Sequence, residues 1–439
     1  MKNVLIISYY FPPAGGSAVQ RVTKFVKYLG QFGWQPVVLT ARAKDFSLRD
    51  ESMLADIPRN VVVYRTVAPD LYYFYGKLGQ KEQKEQVEIS AMAVQEGRGS
   101  GLKKIALTFR SLFFIPDARV GWLPFALIKG IRIIRKEKVR IIFTTSPPFT
   151  TALIGGLLSK ITGIPWVSDY RDPWTQAYFY YHRPRITQLI ENSMEKWLLN
   201  RAATIISINH FILNNLADKY HLTLSQKQAI IPNGFDLEDF IGLRPTKTEK
   251  FTIMYTGTIN TKMNPEALFQ AITQLGRSKP DLIKDFSLVF IGRIGPDVMP
   301  MFRDPDIQPI IQLIPQLSHQ ECLKQILSAD LLLLLIPQYD NNSLIMTNKL
   351  FEYMYSGIPI LCLDDKGLAA ETIRKTRTGF TLNPKNINAL KDTILECYHK
   401  WQKNIPILAT SINQDEVKRY DRRVTSQQLA ALFKTVLEK

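Results

Sequence analysis

Residues 330–363 read DLLLLLIPQYDNNSLIMTNKLFEYMYSGIPILCL, and the hydrophobic pattern changes period twice along them. Leu331 to Leu335 form an apolar run bounded by Asp330 and Pro337. It is far shorter than the roughly 20 residues that a membrane-spanning helix needs, so it reads as a core strand. From Thr347 the apolar spacing becomes helical and stops at Gly357, the residue type that most easily takes the left-handed conformation past a helix end. Ile358 to Leu363 then read as a second strand, again apolar almost throughout. Strands without polar alternation are covered on both faces, as in a parallel sheet with helices above and below it.

The same rhythm runs through the rest of the chain. Short Val- and Ile-rich runs at 3–8, 36–40, 61–66, 139–145, 164–168 and 203–208 alternate with longer segments of helical period. After residue 250 the series starts again, at 251–255, 287–291, 309–314, 330–336 and 358–363. Two doubly wound α/β sheets in succession are therefore expected. Length agrees, since 439 residues exceed what one hydrophobic core usually organises. The periodicity lapses over 232–249, where Asn233-Gly234 and Pro245 supply turn chemistry. We expect a first domain over 1–240, a second over 241–415, and a terminal segment 416–439 in which Leu429, Leu432, Phe433, Val436 and Leu437 mark an amphipathic helix. Residues 67–115 break the pattern with aromatic LYYFYGKLG, charged QKEQKEQVE and glycine-rich EGRGSG. An irregular insertion is expected there, either a flap that meets acceptor or membrane or a plain surface excursion.

Composition excludes several classes. Cys322, Cys362 and Cys397 are an odd number without CxxC spacing, which argues against a disulfide framework and a zinc site and fits a reducing cytoplasm. The opening MKNVLIISYYFPP ends at a double proline without a small-residue cleavage site, so it reads as a first strand and not as a signal peptide. The net charge of +17 is uneven: residues 1–240 hold 31 Lys+Arg against 19 Asp+Glu, and residues 241–439 hold 25 against 20. Within 101–140, Lys103, Lys104, Arg110, Arg119, Lys129, Arg132, Arg135, Lys136, Lys138 and Arg140 face only Asp117 and Glu137. No recognition helix, zinc motif or RNA-binding motif accompanies this charge, so no nucleic acid partner is expected. An anionic membrane surface or an anionic acceptor is the functional reading, and a solvated helix face is the bland one.

Four clusters could carry chemistry. The first strand ends at Tyr9-Tyr10-Phe11-Pro12-Pro13-Ala14-Gly15-Gly16-Ser17, where glycines admit close backbone approach and a helix start favours an anion. Asp169-Tyr170-Arg171-Asp172-Pro173-Trp174 follows the strand at 164–168, at the carboxyl end where open α/β sheets bind ligands. An internal Asp-Arg pair that locks this loop is its structural reading. Tyr255-Thr256-Gly257-Thr258 ends a strand and leads past Lys262, and Arg293 follows Ile291-Gly292 at the end of the next strand, 287–291. Thr347-Asn348-Lys349 opens the helix that carries Glu352, a carboxylate that offers two acceptor oxygens.

On these residues the chain resembles the family 4 retaining glycosyltransferases of the two-domain GT-B fold, in particular a subgroup with DxRDxW and KLFEYM signatures. Pro232-Asn233-Gly234-Phe235-Asp236 is similar to the interdomain PNGVD motif of that family, and Asn348-Lys349-Leu350-Phe351-Glu352-Tyr353-Met354 to its donor-binding helix. The sequence departs from the common pattern at Thr258, where an Arg is usual, and at Leu344, where many members carry a further Glu. The resemblance implies two facing Rossmann-like domains with a C-terminal helix that crosses back to the first. It implies a donor held mainly on the second lobe and an acceptor on the first, with retention of configuration. The catalytic candidates are Asp169, Arg171, Asp172 and Lys262; the donor-binding candidates are Gly15, Gly16, Gly257, Thr258, Arg293, Ile314, Thr347, Asn348, Lys349 and Glu352. No DxD is placed like a metal site, since Asp364-Asp365 follows a strand without hard ligands beside it. Neither metal nor cofactor is expected. The expected partners are a nucleotide-sugar and a glycan or polyprenyl-phosphate-linked acceptor, with the protein cytoplasmic and peripheral at the inner membrane face. A catalytically silent nucleotide-sugar-binding scaffold and a nucleotide-sugar epimerase of the same fold are the alternatives.

Overall fold

A computed structural model gives the fold over residues 1–46, 49–69, 114–176, 183–224, 227–246, 248–337 and 346–439. The chain divides into two compact units, Met1–Pro232 with Thr425–Lys439, and Asn233–Val424.

Among the described residues the first unit is a seven-stranded sheet in the order β3-β2-β1-β4-β5-β6-β7. Its strands are β1 (Lys2–Ile7), β2 (Trp34–Ala41), β3 (Val62–Thr66), β4 (Val139–Ser146), β5 (Trp166–Tyr170), β6 (Thr204–Ser207) and β7 (Gln228–Ile230). Every pairing is parallel. The order reverses between β1 and β4, so a ligand crevice is expected outside their carboxyl ends. Alternation along β1 fills two cores. Leu5 and Ile7 pack with Ile133, Leu158 and Leu198 from the helices Leu123–Lys136, Thr150–Thr162 and Arg185–Arg201. Val4 and Ile6 pack with Val22 and Phe25 of the helix Ser17–Leu29 and with Leu429 and Phe433 of the terminal helix Arg422–Glu438. The Trp34 indole N–H donates to the Ala430 carbonyl at 3.2 Å and its ring meets Phe433 edge-on at 5.2 Å. The last helix therefore completes the core of the first unit.

The second unit repeats the plan with six strands, again among the described residues, in the order β10-β9-β8-β11-β12-β13. They are β8 (Phe251–Thr256), β9 (Phe286–Ile291), β10 (Ile311–Ile314), β11 (Leu331–Leu334), β12 (Ile360–Cys362) and β13 (Gly379–Thr381). The reversal falls between β8 and β11. The leucine run is explained by this central place: Leu331, Leu333 and Leu335 enter one core and Leu332, Leu334 and Ile336 the other. Full burial of each contributes about 1.5–3 kcal/mol, which alternation with polar residues would forfeit on one side.

Two strands carry no apolar run and escape a reading by periodicity. β7 and β13 are three-residue edge strands whose side chains are half-buried or exposed, too short for a period to show, whereas the longer edge strands β3 and β10 keep an apolar run. The Pro232-to-Asp236 stretch also finds its physical reason. Gly234 lies so close to the backbone of Tyr420 that a Cβ would come within 1.8 Å of its carbonyl oxygen. Phe235 N–H donates to that carbonyl at 3.1 Å, and Arg422 N–H donates to Phe235 O at 2.8 Å.

Candidate functional site

The carboxyl ends of β8, β9 and β10 are tied into one edge by backbone hydrogen bonds. Gly257 N–H donates to Ile291 O at 2.7 Å, Gly292 N–H to Ile314 O at 2.9 Å, and Ile259 N–H to Arg293 O at 2.9 Å. The structure thus brings Gly257, Thr258, Arg293 and Ile314 together. Gly257 has φ +121° and Gly292 φ +132°, and a Cβ on Gly292 would stand 2.4 Å from Gly257 O, so both turns require glycine. Lys262 is exposed on the next turn, where Asn260 Oδ1 accepts from Lys262 N–H at 3.0 Å and Met263 N–H at 3.1 Å. Arg293 is exposed as well.

The helix Asn348–Ser356 reaches this edge from β11, on the far side of the switch point, and ends at Gly357 with φ 74°. Tyr353 clips it to β8: its hydroxyl accepts from Thr256 N–H at 3.0 Å and lies 3.0 Å from Thr256 Oγ1. At the other end Lys349 lies across the glycine turn. Its ammonium sits 4.9 Å from the Tyr255 ring centroid and donates to the Tyr255 hydroxyl at 3.2 Å, and a Cβ on Gly257 would fall 2.4 Å from its Cε. Burial pulls the Lys349 ammonium down to about 8, with Glu352 and Cys322 opposing. Thr347 holds the cap position of the helix, yet its Oγ1 is buried and has no hydrogen-bond partner among the described residues. Asn348 follows as the first helical residue. Glu352, one turn on from Lys349, places Oε1 at 2.8 Å from His319 Nε2. His319 carries no motif and was not a candidate from sequence.

In the first unit, the three charged residues of the Asp169–Trp174 loop have unlike surroundings. Asp169 lies within β5, which is buried throughout, is 0% exposed, and has both oxygens engaged. Arg21 grips them at 2.9 Å through Nε and Nη2, and Thr145 Oγ1 donates at 2.9 Å. Arg21 also donates to Ile231 O and Pro232 O, at 2.9 and 2.8 Å. Arg171 is buried and donates to Ser146 O at 3.3 Å and Pro147 O at 2.9 Å, carbonyls at the end of β4; desolvation lowers its pKa. Trp174 stacks on Phe149 at 4.9 Å. Asp172 alone of the three is exposed. The protein packed beside it nonetheless lifts its carboxyl above the ordinary value, with Arg171 pulling the other way. Gly16, φ 93°, is the residue before the helix Ser17–Leu29, so the cap position falls one residue before Ser17. Gly15 and Gly16 belong to this unit and the other donor-binding candidates to the second. Arg119, counted in the sequence only as basic charge, lies 5.1 Å from the Tyr9 ring and donates to the Tyr10 hydroxyl at 3.1 Å, at the carboxyl end of β1.

The helix Leu123–Lys136 presents Arg132, Arg135 and Lys136 outward, with Lys138 exposed just beyond it and Phe125 and Ile128 exposed in its first turns. Lys103, Lys104, Arg110 and the aromatic run Leu71–Tyr75 lie outside the described residues, as does Leu344. Among the described residues no helix is long and apolar enough to cross a membrane.

Comparison with known proteins follows the two sheets. Residues 83–239 match the model of Glycosyltransferase Family 4, and residues 250–400 that of Glycosyl transferases group 1. No curated protein matches the chain in sequence. Among solved structures, a glycosyltransferase from Rickettsia africae is similar at TM-score 0.62 and 13% identity, with 100% of this chain and 99% of that one covered. HepE from Anabaena, solved with UDP, is similar at TM-score 0.61 and 12% identity, over 99% and 100% of the two chains. A UDP-N-acetylglucosamine 2-epimerase assignment from Listeria monocytogenes is similar at TM-score 0.55 and 13% identity, over 100% and 97%. At these identities the structures speak for the fold, and the two sequence matches speak for the chemistry. The chain is a glycosyltransferase of the GT-B fold, built of a glycosyltransferase family 4 domain followed by a glycosyl transferases group 1 domain.

Proposed function

We propose that the enzyme takes a sugar from a nucleotide-sugar donor and attaches it to a glycan or polyprenyl-phosphate-linked acceptor, without a metal ion and with retention of anomeric configuration. The observation that carries this reading is the meeting of Gly257, Lys349, the unpartnered Thr347 hydroxyl and Glu352 at the carboxyl edge of the second sheet. A diphosphate fits the Lys349 end, where an ammonium and a helix start lie together over a turn that has no side chain. Glu352 then accepts from the ribose hydroxyls, and the base lies toward Ile314. Thr258 and Asn348 line the diphosphate seat, while Lys262 and Arg293 meet the charge that grows as the nucleotide leaves. We assign the chain to the subgroup with DxRDxW and KLFEYM signatures. Asp172 is the member of its loop that we place against the sugar or the acceptor hydroxyl. Asp169 and Arg171 hold the loop in position, and Gly15 and Gly16 leave room for the donor at the first sheet. In the retaining reaction the acceptor oxygen bonds to the anomeric carbon on the face that the phosphate leaves, and its proton passes to the departing phosphate oxygen.

Two results test the electrostatics. Turnover should persist in excess EDTA, because fixed cations take the place of Mg²⁺; loss on chelation with rescue by Mg²⁺ or Mn²⁺ would contradict the metal-free reading. Donor affinity should fall as pH rises through about 8. Lys349 is cationic below that value and neutral above it, so the slope approaches tenfold per pH unit at the alkaline side, at about one proton per donor bound. Lys349→Met should weaken binding at pH 7 and flatten the profile. An unchanged profile in the variant would remove Lys349 from the donor seat.

The exposed face of the helix Leu123–Lys136 supports a peripheral, electrostatic attachment to the inner membrane face, as suits synthesis of a surface polysaccharide or glycoconjugate on a lipid carrier. Each basic residue near an anionic surface contributes about 1 kcal/mol, screened over a Debye length of about 10 Å at 0.1 M salt. The protein should cosediment with anionic vesicles at low salt, dissociate as salt rises, and ignore neutral vesicles. Replacing Arg132, Arg135, Lys136 and Lys138 by Gln should weaken the association; binding that survives high salt undiminished would sink the electrostatic reading. An epimerase would convert the donor alone, whereas a transferase needs an acceptor for product, so incubation of donor without acceptor separates the two.

A further inference from the structure

We infer that His319 is a positioning residue for the donor ribose: it orients the Glu352 carboxylate and so sets the selection for nucleotides with intact ribose hydroxyls. The inference rests on the reading of Glu352 as the ribose acceptor. Three observations carry it. His319 Nε2 stands 2.8 Å from Glu352 Oε1, and the two side chains are 21% and 14% exposed, so the pair is sheltered yet open to a ligand. The histidine is itself fixed, as the first residue of the helix His319–Ile326. The cap of that helix is a reciprocal box in which Glu321 N–H donates to Ser318 Oγ at 3.4 Å, and Ser318 N–H and Oγ–H donate to Glu321 Oε2 at 3.2 and 2.7 Å. Finally, the competing cation is turned away. Lys349, one helical turn before Glu352, is directed to the Tyr255 ring and the Gly257 turn.

The consequence is a division of labour along one helix. Glu352 would otherwise be drawn toward Lys349, three residues away and the nearest cation on its own helix face. Paired with His319 it is held toward the segment that follows β10, which puts its acceptor sites between the proposed base and diphosphate seats. A carboxylate offers about four lone-pair positions, enough to accept from the imidazole and from two hydroxyls together. The groups that face the pair include Lys349 and Tyr353 from the helix of Glu352 and Cys322 from the helix His319–Ile326, whose thiol is pushed up to about 12, first by burial and then by Glu352. The 2.8 Å contact to His319 Nε2 fixes the direction in which Glu352 Oε1 points.

The test uses the full chain and calorimetric titration with UDP, 2′-deoxy-UDP and 3′-deoxy-UDP. His319→Ala should weaken UDP by about fivefold, in keeping with the loss of one oriented hydrogen bond, and shrink the preference for UDP over both deoxy nucleotides. His319→Gln, whose amide can donate from a similar place, should restore most of the preference. In steady state the alanine variant should raise KM for the donor and leave kcat within twofold, with an unchanged melting temperature. If Glu352→Ala abolishes the preference and His319→Ala keeps it, the positioning role is overturned while the ribose seat stands. If Glu352→Ala also keeps it, or the wild type binds no UDP, the ribose reading fails and this inference fails with it.

Discussion

Replacing Asp169 by alanine is expected to destabilise the first unit by about 3–5 kcal/mol, the usual consequence of stranding a buried cation. Arg21 is 1% exposed and Asp169 0%, so solvent cannot take over the lost partner. The guanidinium would keep the carbonyls of Ile231 and Pro232 but lose both carboxylate oxygens, and Thr145 would lose its acceptor. Against a typical total of about 5–15 kcal/mol, such a loss is large enough to appear as early unfolding in urea. A double-mutant cycle with Arg21→Met separates the pair from the rest: the double variant should be less destabilised than the two single effects added. A shift below about 1 kcal/mol in Asp169→Ala, the scale of an exposed ion pair, would show that this pair does not hold the end of β5.

The second large effect is on ligand binding. Glu352→Ala should weaken nucleotide-sugar binding by about 1.5–3 kcal/mol, tenfold or more, because the ribose hydroxyls lose a charged acceptor. Stability should change little, since Glu352 is half-buried on a helix that Tyr353, Leu350, Phe351 and Met354 anchor in the core. Loss of affinity with an unchanged melt therefore separates a binding role from a structural one. Unaltered donor affinity in the variant would remove Glu352 from the site.

How much of this was legible in the sequence depends on whether the cause is local. The Leu331–Leu335 run and the helix ended by Gly357 are local signals, periodicity and a left-handed cap, and both fix the element type without any partner. The two sheets followed from repeating them. β7 and β13 were not legible because three half-wet residues are too few to carry a period. At the site, Asp169, Arg171 and Asp172 are near neighbours of one charge-rich loop, and sequence gave all three the same expected role. What separates them is their partners: Arg21 lies 148 positions from Asp169, and the carbonyls that hold Arg171 lie at and just past the end of β4. A side-chain type does not reveal a contact at that separation. His319 is the sharper case. One histidine among helix-starting residues has no spacing that ties it to Glu352, 33 positions on, until the crossover from β10 to β11 sets the two helices side by side. Arg119 was visible only as charge, because stacking on Tyr9 depends on where β1 ends.

Whether the carboxyl edge of the second sheet holds the donor is tested most directly by amide hydrogen exchange with and without the nucleotide-sugar. Saturating donor should slow exchange in the turns at 257–262 and 292–295, in 314–322 and in 347–353, with the core of the first sheet unaffected. Protection confined to residues 1–232, with those four segments exchanging as in the free protein, would contradict that placement of the donor.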